Sequence, residues 1–209
     1  MKMTKTKNFQ DLVADFMYAS GQKKANVLTD EIIEFRQSLL TEEVEELQEA
    51  LKLEDVVEQL DAICDILYIL LGTSETFGIK NGETVEDLLS LLSDNNIFSY
   101  FDYSAWMESL KDKNCDISVK YFIILRIAMH ALNFSKHQIV KGFHRVHESN
   151  MTKFPKTEAE ALASIQKYDT GGIDAEYIFR NGLYVILRKS DKKVLKSINY
   201  RRVNLIDLV

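Results

Sequence analysis

The sequence predicts an all-α core carrying a small C-terminal β-hairpin, and three observations lead there. Apolar residues recur at helical spacing through roughly the first four-fifths of the chain. Turn formers are scarce, with one Pro and eight Gly among 209 residues, which argues against a loop-rich sandwich, a disordered chain or a collagen-like one. After Gly171-Gly172 the apolar period shortens to two, as strands require.

Each element has its own justification. Phe9, Leu12, Val13, Phe16 and Met17 fall on one helical face, with Asn8 as N-cap and Gly21 as stop, predicting a helix to about Ala19. Thr29 or Asp30 opens a longer helix to about Leu51, and a third runs from near Glu54 to Phe77, ended by Gly78. Asn81-Gly82 reads as a turn, followed by short helices at Val85–Leu92 and Tyr103–Lys111. An apolar helix begins near Ile117, includes Tyr121 to Met129, bends near Asn133 and continues to about His147. A short helix at Glu158–Tyr168 precedes strands at Tyr177–Phe179, Tyr184–Leu187 and Val194–Ile198, with turns at Arg180-Asn181-Gly182 and Lys189 to Lys192. We therefore expect a helical domain over residues 1–155 with a helical insertion at about 81–116, extended by a helix and hairpin over 156–209.

Composition narrows the function classes. A chain of 24.1 kDa buries a sufficient core without disulfides, and Cys64 and Cys115 form no paired motif, so Cys64 reads as a buried inert thiol in a reducing, cytoplasmic setting. No signal-type apolar region follows the basic N-terminus, and the run from Ile66 to Leu71 is too short to span a bilayer. A net charge of −6 disfavours a general nucleic-acid binder, so neither nucleic acid nor membrane is expected as a partner. From Arg188 onward, however, seven Lys or Arg stand against Asp191 and Asp207, leaving −11 on the remainder. An acidic body with a basic C-terminal segment suits an anionic ligand held through a cation, and equally suits a solvated basic tail.

The carboxylates between Arg36 and Tyr68 carry the chemistry. At about 100° per residue, with Leu39 at zero, Arg36 and Glu43 fall at about 60° and 40°, inside the apolar stripe of the second helix, and Glu46 lies on its edge. Glu42, Glu45 and Glu49 fall on the opposite, polar side. In the third helix Glu58, Asp61 and Asp65 form one acidic stripe and are the only charged residues from Val56 to Leu71. Such a stripe either wets an exposed face or builds a cation site, and Glu43 on the apolar face of the neighbouring helix favours the second reading. Carboxylate oxygens without Cys or an adjacent His select Mg²⁺, or Mn²⁺ in its place, over Zn²⁺.

Glu43 and Glu46, then eleven residues, then Glu58 and Asp61, resemble the ExxE…ExxD signature of the all-α nucleoside triphosphate pyrophosphohydrolases, which include MazG, dimeric dUTPases and phosphoribosyl-ATP pyrophosphohydrolase. Asp65 and the following Ile66 to Gly72 resemble the MazG-like branch. The segment His147 to Lys153 is similar to the H-x-S-N-M-[ST]-K stretch of phage and bacterial members, and Lys193 to Tyr200 to their C-terminal hairpin. The resemblance implies a four-helix-bundle fold, assembled as a homodimer or homotetramer, that cleaves a nucleoside triphosphate between its α- and β-phosphates. It implies Glu43, Glu46, Glu58 and Asp61 as Mg²⁺ ligands, with Glu43, Glu46 and Asp65 in the catalytic set and Glu42 or Asp65 as proton acceptor. Arg36, Asn150, Lys153, Lys196 and Tyr200 are the implied substrate contacts, with Arg36 also bracing Glu43. Phosphoribosyl-ATP or a modified nucleotide is the alternative substrate.

Two rivals belong to other classes. A non-catalytic helical interaction module would leave the acidic stripe solvated and indifferent to Mg²⁺. A zinc hydrolase would use His137, His144 and His147, but the chain has no HExxH and no acid at ligand spacing on that face.

Overall fold

A computed structural model describes residues 8–22, 29–77 and 134–209. The expected insertion at 81–116, the Asn81-Gly82 turn, the two short helices beyond it, Cys115 and the apolar run from Ile117 lie outside these residues.

The described part is helical with a small antiparallel hairpin. Helix α1 spans Phe9–Ser20. Its N-terminus is closed by a capping box, in which the Asn8 side chain accepts from the Asp11 N–H and Asp11 answers the Asn8 N–H. Its C-terminus stops at Gly21, whose φ of 77° is the left-handed conformation that glycine adopts without a Cβ penalty. Helix α2 spans Asp30–Lys52 behind an N-cap Thr29, and α3 spans Val56–Phe77. Between them the chain reverses within three residues. Glu54 takes a φ of 53°, and Asp55 Oδ1 accepts from the N–H groups of Val57 and Glu58, capping α3. That short reversal makes α2 and α3 antiparallel neighbours and sets their acidic segments side by side.

Helix α4 spans Lys136–Met151, and its start corrects an expectation. In place of a bend near Asn133, a fresh helix start falls at Ser135, which is extended and forms a full capping box with Gln138. A Ser followed three residues later by Gln is a start signal, and the continuous apolar pattern concealed it. Helix α5 spans Glu158–Thr170, followed by β1 at Ala175–Arg180 and β2 at Leu183–Arg188. The hairpin pairs Phe179 with Tyr184 and turns through Asn181 and Gly182, both at positive φ. The expected third strand at Val194–Ile198 is not formed. A single bridge joins Val194 to Leu187, after which Ser197 Oγ donates to Thr152 O and the Ile198 N–H donates to Ser164 Oγ. The segment thus pairs with β2 only around that bridge, where the Leu195 N–H donates to Ile186 O, and then finds helix partners. A 3₁₀ turn follows at Ile206–Leu208.

Packing follows the apolar faces. Phe9, Val13 and Phe16 of α1, Leu60, Ile63, Cys64 and Leu67 of α3, and Ile139, Phe143 and Val146 of α4 form the main core. Phe9 and Phe143 stack at 3.9 Å. Gly142 lets α4 approach α3 closely, since a Cβ there would lie 3.0 Å from Cys64 Sγ. A smaller core of Ala161, Ala175, Ile186 and Leu195 seats the hairpin on α5. Among the described residues no helix is long and apolar enough to cross a membrane.

Candidate active site

The second and third helices divide their acids as the face arithmetic predicts. Glu42, Glu45 and Glu49 are exposed, whereas Glu43 is half-buried, as are Glu58, Asp61 and Asp65 on α3; Glu46 is exposed at the edge. Glu46, Glu58, Asp61 and Asp65 line one cleft of about 480 Å³, whose far wall is Lys196, Tyr200 and Arg202 from the C-terminal segment. Glu43 opens onto an adjoining cavity of about 90 Å³ with Arg36, Tyr68 and Lys153.

Burial dominates the electrostatics, and like charges add to it. Burial, then the neighbouring Asp65 and Glu46, hold the Glu43 carboxyl well above the usual carboxylate range, with Lys153 opposing. Burial, then Asp65 and Glu58, push Asp61 up to about 7, and Arg202 offsets part of this. Asp65 is raised by burial, against Lys153 and a hydrogen bond from Asn150. Lys153 is itself lowered by burial, while Asp65 and Glu43 act to keep it charged. The Oδ1 atom of Asp61 is buried with no hydrogen-bond partner among the described residues. Desolvated carboxylates left short of donors are stabilised by a cation or by protons.

That arrangement fits a hard divalent cation. The acids of the cleft offer carboxylate oxygens, the donor type that Mg²⁺ prefers, and one buried oxygen that a cation would satisfy. The acids stand apart in this conformation: among the described residues no three His, Cys, Asp or Glu side chains are grouped in metal-binding geometry. Arg202 Nη2 lies 2.5 Å from both carboxylate oxygens of Glu58.

The substrate-contact candidates separate by position. Asn150 is buried at the end of α4 and reaches Asp65. Lys153, one turn on, sits 5.8 Å over the Phe16 ring. Lys196 lies 4.8 Å over the Tyr200 ring, and the Tyr200 hydroxyl is 3.1 Å from Ser149 Oγ. Arg36 is 6% exposed, with Nε donating to Thr73 Oγ1 at 2.9 Å and Nη2 to Ile69 O at 2.6 Å, so its guanidinium docks on α3 above Gly72. Of the histidines, His137 is exposed, His144 packs edge-on against Phe9, and His147 Nδ1 lies 3.0 Å from the Tyr68 hydroxyl.

Sequence reading missed three participants. Arg202 was visible only as a member of a basic tail and Lys193 as that and the start of a hairpin-like segment, yet Arg202 pairs with Glu58 and Lys193 with Glu42. Tyr68 was not singled out, and its hydroxyl, 3.0 Å from His147 Nδ1, carried no periodic signal.

Comparison with known proteins bears on the N-terminal part of the chain. Residues 8–90 match the family model for phosphoribosyl-ATP pyrophosphohydrolase, and the resemblance drawn from the acidic pairs holds over that segment. An uncharacterized protein of Acanthamoeba polyphaga mimivirus is 29% identical, with 73% of each chain covered. No solved structure matches.

Proposed function

We propose that this chain, whose residues 8–90 are of phosphoribosyl-ATP pyrophosphohydrolase type, is a Mg²⁺-dependent nucleotide pyrophosphohydrolase. Water attacks a phosphorus of the α–β anhydride, the bridging P–O bond breaks, and a nucleoside monophosphate and pyrophosphate leave. The observation that carries this reading is the half-buried group Glu43, Asp61 and Asp65 on two adjacent helices, with the orphaned Asp61 oxygen among them and basic residues opposite.

Glu43, Glu46, Glu58 and Asp61 would hold the cation. When bound, Mg²⁺ supplies charge neutralisation at phosphate oxygens and acidifies water. The chain's own residues do the rest. Asp65, fixed by the Asn150 hydrogen bond and placed near Lys153, is positioned to accept the proton lost by the attacking water. Lys153 and Lys196 face the acids across the site and meet the negative charge that builds on the departing pyrophosphate. Tyr200, held through Ser149, orients the Lys196 side of the cleft.

A pyrophosphate-release assay across the common NTPs and dNTPs, with and without Mg²⁺, tests the reading. Activity on at least one nucleotide is expected, with Glu43→Gln and Asp61→Asn each lowering kcat by at least about 100-fold, the scale set by losing an electrostatic contact at the reacting centre. Folded wild type and variants that are equally inactive on every nucleotide would favour the interaction module. Phosphoribosyl-ATP belongs in the screen because the matching family model bears its name. A homodimer or homotetramer is part of the proposal, supported by Leu51, Leu53 and Val56 exposed together at the α2–α3 reversal.

A further inference from the structure

The C-terminal segment is fastened across both acidic helices. Arg201 N donates to Thr152 Oγ1 at 2.9 Å, and Ser149 Oγ donates to Arg201 O at 2.8 Å, so the backbone beside Arg202 is anchored to the end of α4. From that anchor Arg202 reaches Glu58 on α3, while Lys193, nine residues earlier, reaches Glu42 on α2. The two pairs differ in what they hold. Glu42 lies on the outer face of α2, but Glu58 lines the acidic cleft with Asp61 and Asp65. The Arg202 side chain is 66% exposed, so it is tethered by its backbone and by Glu58 alone among the described ion pairs.

We propose that Arg202 is a phosphate-binding residue whose guanidinium exchanges between Glu58 and the polyphosphate. A guanidinium nitrogen shared between both oxygens of a carboxylate occupies lone pairs a divalent cation would use. Cation entry at Glu58 and release of Arg202 are therefore one exchange. The freed guanidinium keeps its anchored backbone beside the cleft and meets the polyphosphate, for which its planar fork is suited. The pair with Glu58 neutralises one carboxylate of the acidic cleft, and its exchange makes the triphosphate and the cation mutually supportive ligands.

This inference rests on the proposed cation site and is tested on the full chain with Mn²⁺ and inorganic triphosphate as probes, without turnover. Mn²⁺ binding is read by electron paramagnetic resonance, and triphosphate binding in the presence of Mn²⁺ by calorimetry. Arg202→Gln is expected to bind Mn²⁺ about two- to fivefold more tightly than wild type, the range set by removing one partly exposed ion pair. The same variant is expected to bind triphosphate about tenfold more weakly, and Arg202→Lys to recover part of that loss. Unchanged or weaker Mn²⁺ binding in Arg202→Gln, while Asp61→Asn still abolishes it, overturns the role of Arg202 and leaves the cation site standing. Absence of Mn²⁺ binding in wild type and Asp61→Asn alike overturns both.

Discussion

Asp61 shows how one residue can lower stability and serve a site. Its carboxyl titrates near 7 because burial and like charges penalise the ionised form, so the folded chain holds a proton there that the unfolded chain releases near 4. The folded state thus binds more protons between these values, and stability must fall as pH rises from about 4 to about 7. Asp191 and Asp207, both depressed to about 2 by arginine partners, act in the opposite sense and only below about 4. In EDTA, thermal unfolding scans should show Tm declining by about 2–4 °C between pH 5 and 8. Mg²⁺ should flatten that decline, and Asp61→Asn should reduce it in EDTA while removing the response to Mg²⁺. A Tm that climbs over this interval in EDTA would contradict the desolvated cluster.

At the scale of elements, α3 is the helix on which the others depend. One side packs α1 and α4, and the other presents Glu58, Asp61 and Asp65 towards α2 and the C-terminal segment. The α3–α4 approach relies on Gly142, where even a Cβ would stand 3.0 Å from Cys64 Sγ and 3.6 Å from Leu60 Cδ1. Gly142→Val adds two methyls beyond that Cβ and is expected to cost about 1–3 kcal/mol through overpacking, read by urea denaturation. An unchanged midpoint would mean that the two helices part without penalty. Arg36 plays a related part from α2, since its guanidinium ties that helix to the α3 carbonyl of Ile69 and to Thr73. The same cavity that Arg36 lines receives Glu43.

For the molecule as a whole, the C-terminal segment acts as a strap. Leu205 is 1% exposed in the main core, Gln138 Nε2 donates to Leu208 O at 2.6 Å, and Arg145 pairs with Asp207. Deleting buried methyls there leaves a cavity, so Leu205→Ala should destabilise by about 2–4 kcal/mol in denaturant titration. Because the same segment carries Lys196, Tyr200 and Arg202, that variant should also raise KM for the nucleotide more than it lowers kcat. A strap that is only structural would leave KM unchanged at temperatures where the variant is folded.

The amino-acid order alone determined the helices α1 to α3, their caps at Asn8, Gly21 and Thr29, and which acids turn inward, because caps and the helical period act within a few residues of one another. Glu43 inward and Glu42 outward follow from a 100° step and from little else. Only the tertiary structure decided that Val194–Ile198 would bond to helices and form no third strand, that Asn150 would reach Asp65, that His147 would meet Tyr68, and that Arg202 would settle on Glu58. Those partners lie tens of residues or more apart in the chain, and no local periodicity records them. They meet because burial of the apolar faces brings their helices together, and the polar groups carried along must then find one another.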